Sequence, residues 1–108
     1  MHNPQKTAGL AIVALPAEID IANAEQVWHR LSAALAPGVE VVVADLSATT
    51  FCDASGIRAL LRVRDEAAAT RVELRLAVPP GRVRHLLELL SLDRQLAIYP
   101  SASQAAGS

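Results

Sequence analysis

Asp53, Ala54, Ser55 and Gly56 stand together where an apolar run gives way to a helical pattern. The surrounding stretch, Val41 to Leu61, is VVVADLSATTFCDASGIRALL. It reads as a buried strand, a short polar loop and a helix. A hydroxyl at such a junction lies among backbone N–H groups without intrahelical partners, at the positive end of the helix dipole. That environment favours an anion, and a phosphate carried by Ser55 itself is the natural one. Asp and Ser also serve a plainer purpose there, as preferred helix caps. One cap suffices, however, and Gly56 lowers helix propensity by about 1 kcal/mol relative to Ala. The crowding of Asp53, Ser55 and Gly56 into one turn points to a face that another protein approaches closely, with Ala54 and Arg58 beside it.

The elements that hold this turn follow from hydrophobic periodicity. GLAIVAL, from Gly9 to Leu15, suits a strand; Pro16 and Ala17 interrupt it before Glu18-Ile19-Asp20-Ile21. A helix is predicted from about Asn23 to Ala36, with Asn23 as N-cap and Gln26 completing a capping-box spacing. Ala24, Val27, Leu31, Ala34 and Leu35 form its apolar face, and Pro37-Gly38 stops it. The valine-rich run VEVVVADL, Val39 to Leu46, suits a strand covered on both faces.

The helix after Ser55 runs to Ala69, with Ile57, Leu60, Leu61, Arg64, Ala67 and Ala68 as its inner side. Arg58–Asp65 and Arg62–Glu66 spacings permit weak surface ion pairs. RVELRLAV, Arg71 to Val78, alternates with Val72, Leu74 and Leu76 inward, Glu73 and Arg75 outward. Pro79-Pro80-Gly81 opens a third helix, Arg82 to Leu90, that presents Val83, Leu86, Leu87 and Leu90 to the core. Ala97-Ile98-Tyr99 forms a last short strand, and SASQAAGS is expected to fray.

Strands alternating with helices predict an α/β fold with a mostly parallel sheet and right-handed connections. The 108 residues should form one domain, with a core over about 9–99 and flexible tails at 1–8 and 100–108. At 52% hydrophobic and 19% charged the chain is globular. A net charge of −1, with aromatics at 3%, gives no electrostatic or stacking case for nucleic acid. Cys52 is the only cysteine, which excludes an intrachain disulfide and reads as a small buried hydrophobe. No apolar run approaches the roughly 18 residues of a membrane span. The polar MHNPQKTAG start is unlike a secretory signal, so a cytoplasmic location is expected.

The Val41–Leu61 run resembles the signature of the anti-sigma factor antagonists, members of the STAS domain family. There an apolar strand ends in Asp-Leu-Ser, and a Phe-x-Asp-Ser-Ser-Gly-Leu-like segment then opens a helix at the phosphorylated serine. Here Asp45-Leu46-Ser47 and Phe51 to Ile57 match, with Ser55 at the phosphoacceptor. Further matching pieces are Glu18-Ile19-Asp20, Ala77 to Pro79 and Val83 to Leu92, so the resemblance covers about Leu10 to Tyr99. It implies a single STAS-like domain: a small mixed or mostly parallel sheet of about four strands, with helices packed mainly on one side.

The resemblance also implies the circuit. An anti-sigma factor with a kinase domain brings ATP and Mg²⁺ and phosphorylates Ser55; this chain needs no cofactor and is not an enzyme. Unphosphorylated, it holds the anti-sigma factor and frees a sigma factor; a serine phosphatase resets it. Partner contact is assigned to Asp20, Asn23, Asp53, Ala54, Ser55, Gly56 and Arg58, and the protein is expected as a monomer or weak homodimer. Asp45 and Ser47 suit a backbone-bonded turn; Thr49 and Thr50 are loop hydroxyls; Trp28 reads as core. Ala54 replaces the first serine of the usual pair, Pro16-Ala17 stands where glycine is common, and Leu90-Ser91-Leu92 lacks a customary glycine. The N-terminus is short by about one strand, leaving an open edge.

Other functions fit less well. A serine-hydrolase elbow needs Gly-x-Ser-x-Gly, whereas Asp53 and Ile57 hold the two glycine positions. His2, His29 and His85 are scattered and suggest neither a catalytic base nor a metal site. The remaining alternative is an adaptor of the same family in a sensory, lipid-transport or anion-transporter complex.

Overall fold

A computed structural model describes residues 9–107; the expectations for residues 1–8, including His2, lie outside it. The chain runs β1 (Leu10–Ala14), β2 (Glu18–Ile19), α1 (Ala24–Ala33), β3 (Val41–Asp45), β4 (Phe51–Cys52), α2 (Ala54–Ala69), β5 (Glu73–Ala77) and α3 (Arg82–Leu89). A 3₁₀ turn (Leu92–Arg94), β6 (Ala97–Tyr99) and α4 (Ala102–Gly107) complete it. Four strands form a sheet in the order β1-β3-β5-β6, parallel throughout, and β2 pairs with β4 in a separate parallel ribbon. Parallel neighbours cannot be joined by a hairpin, so α1, α2 and α3 carry the chain back between successive strands of the sheet. The register sets Ala14, Asp45, Ala77 and Tyr99 side by side at one end of the sheet, where the loops before α2 and α3 emerge.

Strand alternation divides the core in two. Val42, Ala44, Leu74 and Leu76 face the larger cluster, with Val27 and Leu31 of α1, Leu60, Val63 and Ala67 of α2, and Val83 and Leu87 of α3. Val43 and Ala77 face the other way, against Ala105 of α4. Both sides of β3 are closed: Val42, Val43 and Ala44 have no exposed surface. The unbroken valine run required this.

The C-terminal segment differs from expectation. Residues 102–107 do not fray but form α4, with Ala105 fully buried. Ser101 Oγ accepts from the Gln104 N–H at 3.2 Å, the first half of a capping box in a sequence of small residues that can lie close to a sheet. This cover reverses the reading of Arg75, expected to face solvent and in fact 9% exposed. Its Nη1 donates to Ala105 O at 2.7 Å and its Nη2 to Glu73 Oε1 at 2.9 Å. That hydrogen bond holds the Glu73 carboxyl below its ordinary range.

Other departures are local. In α2 the inward set is Gly56, Ile57, Ala59, Leu60, Val63 and Ala67, whereas Arg64 reaches out to Asp65 and Gln95. In α3 Leu90 is half exposed and Leu92 takes the buried place, because the chain turns at Ser91. Ser91 itself adopts the left-handed conformation, φ 57°, that the missing glycine would have taken. Helix α1 ends at Ala33 and its capping box does not form, since Asn23 makes no side-chain cap.

Candidate functional site

The turn at Ser55 is built from two short strands and a cap. Ala17 O accepts from Thr50 N and Phe51 N, and Ile19 O from Asp53 N at 3.1 Å, which fastens β4 to β2 and sets the start of α2. Asp53 is extended, with φ −99° and ψ −172°, and its Oδ1 accepts from Ser55 N at 2.9 Å and Gly56 N at 3.2 Å. Asp53 is therefore the N-cap. Two of the amides expected to receive an anion are already held by this carboxylate, which also places negative charge at the helix start.

Ser55 is half-buried and lines a surface groove. Its Oγ lies 3.4 Å from Arg58 Nη2, one turn along, and opens on a groove of about 380 Å³ between α1 and α2. Ile21, Glu25, Trp28, Arg58 and Arg62 line that groove with Ser55. The Arg62 guanidinium sits 3.6 Å above the Trp28 ring and 3.8 Å from Glu25 Oε2. Trp28 Nε1 donates to Glu66 Oε1 at 3.1 Å, so the indole is pinned at the edge of the core. Arg62 thus pairs across the groove with α1 and not with Glu66 as its spacing suggested. Arg58 turns to Ser55 and not to Asp65.

Gly56 is placed differently from expectation. It is buried, and a Cβ there would lie 2.6 Å from Cys52 Sγ and 2.7 Å from Ile19 Cγ2. Its lack of a side chain lets α2 sit against the β2–β4 ribbon, so packing within the chain accounts for the glycine. Cys52 is 6% exposed, and burial, followed by the neighbouring Asp53 carboxylate, pushes its thiol up to about 11. Ala54 and Arg58 are exposed.

Asp20 and Asn23 brace their own loop. Asn23 Oδ1 accepts from Asp20 N at 2.9 Å, Asn23 Nδ2 donates to Glu18 O at 2.7 Å, and Asp20 Oδ1 accepts from Ala22 N at 2.9 Å. The loop they shape presents Ile21, 81% exposed, to the groove. Asp45 Oδ1 accepts from Ser47 N and Ser47 Oγ, the turn that their spacing suggested. Thr49 is buried and donates to Pro16 O at 2.8 Å, which removes it from reach of a kinase. Ile21, Trp28 and Arg62 were not assigned to the site from sequence. The signal for Arg62 was its spacing: Ser55, Arg58 and Arg62 follow at i, i+3 and i+7 along one helical face.

Among the described residues no group of acidic, histidine or cysteine side chains is placed to hold a metal ion, and no helix is long and apolar enough to cross a membrane. The site offers one hydroxyl, a flanking carboxylate and two guanidinium groups.

Known proteins share this fold. Residues 2–105 match the STAS domain. The chain is 31% identical over 98 residues to a Bordetella bronchiseptica protein named "Putative anti-sigma factor antagonist BtrV", covering 91% of this chain and 82% of that one. An anti-sigma factor antagonist from Mycobacterium paratuberculosis superposes with a TM-score of 0.80 at 24% identity, over 90% of this chain and 82% of that one. A sulfate transporter family protein from Wolinella succinogenes reaches the same TM-score at 16% identity, over 92% and 83%. At those identities the two structures speak for the fold alone.

Proposed function

The chain belongs to the STAS domain family, and from that premise we propose that it is an anti-sigma factor antagonist switched by phosphorylation of Ser55. The observation that carries the reading is the position of the Ser55 hydroxyl. It stands on the first turn of α2 and lines a surface groove of about 380 Å³.

In the unphosphorylated state the exposed Ile21 loop, Ala54, Ser55 and Arg58 form a surface on which an anti-sigma factor docks, leaving a sigma factor free to direct transcription. The partner's kinase domain supplies ATP and Mg²⁺ and transfers the γ-phosphoryl group to Ser55 Oγ, and a serine phosphatase removes it. The chain contributes the acceptor hydroxyl, an extended Asp53 that fixes the helix start, and the arginines of the next two turns. Phosphate adds about −1.5 to −2 charges and three acceptor oxygens. A partner surface fitted to a neutral serine would have to desolvate that dianion, so release follows without refolding of the antagonist. The protein acts in the cytoplasm, as a monomer or weak homodimer, through protein contacts.

Incubation with the cognate kinase and ATP, followed by mass spectrometry, tests the site: phosphate on Ser55 supports the reading, and phosphate on another residue overturns it. A pull-down from the source cell tests the circuit. Recovery of a kinase-bearing anti-sigma factor is expected; recovery of permease subunits instead would move the chain to an adaptor role.

A further inference from the structure

Two of the helix amides that a phosphate on Ser55 would ordinarily use are engaged. Asp53 Oδ1 already accepts from Ser55 N and Gly56 N, and its charge repels a second anion. The groups left to meet the phosphate are on the other side of Ser55. Arg58 Nη2 is 3.4 Å from Ser55 Oγ, and Arg62 lines the same groove one turn further on.

We infer that Arg58, seconded by Arg62, clamps the Ser55 phosphate against α2 and draws it into the α1–α2 groove. This rests on the phosphoswitch proposed above and specifies how the modified state is held. A phosphate oxygen lies farther from the backbone than Oγ, so a change of Arg58 rotamer converts the present contact into a charge-assisted hydrogen bond. Arg62 is stacked on Trp28 and paired only loosely with Glu25, at 3.8 Å, so a dianion competes well for it. The acidic groups shown beside them are Glu25, which lines the groove from α1, and Asp53 at the cap; the Asp20 carboxylate, in the β2–α1 loop, accepts from Ala22 N. The clamp has two consequences. It neutralises part of the added charge locally, and it removes Arg58 from the docking surface, so phosphorylation subtracts a contact as well as adding repulsion.

Phosphoserine installed at position 55 by codon reassignment makes the test independent of any kinase or anti-sigma factor. The second ionisation of the phosphate is then followed by ³¹P NMR against pH, in the folded protein and in urea. An opposite charge at this distance favours the dianion, so the folded midpoint should fall about half a unit or more below the urea value. R58A and R58Q should each return most of that shift, and R62A a smaller part; circular dichroism reports that the fold is intact. A midpoint unchanged by both R58A and R58Q, or equal in folded and unfolded protein, overturns the clamp. Either result leaves kinase recovery in the pull-down unaffected, so the two proposals fail separately.

Discussion

A Cβ added to Gly56 would stand 2.6 Å from the sulfur of Cys52. Helix α2 and the β2–β4 ribbon approach so closely at this point that the side chain of Cys52 occupies the room beside the glycine. Gly56→Ala sets two effects against each other. Alanine gains about 1 kcal/mol of helix propensity. Forcing a methyl between Cys52 and Ile19 costs about 1–3 kcal/mol in displaced backbone and side chains. The packing penalty should win, with a net loss of stability in urea denaturation. A variant as stable as the parent would mean that the ribbon can slide away from the helix.

The charge of Ser55 decides partner binding. Ser55→Ala should bind the anti-sigma factor like the parent and resist inactivation by its kinase. Ser55→Asp should bind at least about tenfold more weakly, or about 1.4 kcal/mol. Titration calorimetry measures both. Equal affinity of the Asp variant and the parent would sink the electrostatic switch.

Cys52 should be silent at neutral pH. Burial raises its thiol from the ordinary 9.0 to about 11, so the folded protein keeps the proton that the unfolded chain gives up. Stability from the neutral thiol is complete below pH 9 and is lost as pH rises towards 11. Thiol reagents at pH 8 should label the protein only as fast as it unfolds. Denaturation at pH 8 and pH 10 should show a larger loss for the parent than for Cys52→Ala. A rapid reaction in native buffer would contradict the burial.

Helix α4 is part of the folded unit. Ala105→Asp places a carboxylate against Val43 and Ala77 and should cost about 2 kcal/mol or more, since the new group has no partner there. Urea unfolding measures it. A cost below about 0.5 kcal/mol, the usual range for surface substitutions, would show that α4 lies off the sheet in solution.

The strand–helix alternation, the doubly covered valine strand, the Asp53–Ser55 turn and the Asp45–Ser47 turn were legible because each rests on neighbours close in sequence. Valine at Val41, Val42 and Val43 dictates burial on both faces whatever covers them. Asp two residues before Ser reads as a cap because the hydrogen bond it makes is local. These features needed only periodicity and the chemistry of adjacent backbone groups. The same locality explains the errors. Arg75 alternates like a solvent-facing residue, and nothing within ten residues of it announces that α4 returns to cover that face.

Tertiary structure alone decided the rest. Pairing of β2 with β4 sets Ile19 and Cys52 side by side against Gly56, so the room beside a residue read as leaving space for a visitor is filled from within. They bring Trp28 and Glu25 of α1 beside Arg62 of α2, making a groove that neither helix contains. Sequence put the Ser55 hydroxyl and the Asp53 carboxylate at the helix start; the structure made Asp53 the cap. Packing determined which cations that hydroxyl faces, because contacts between distant segments depend on how the helices lie on the sheet and not on the spacing along any one of them.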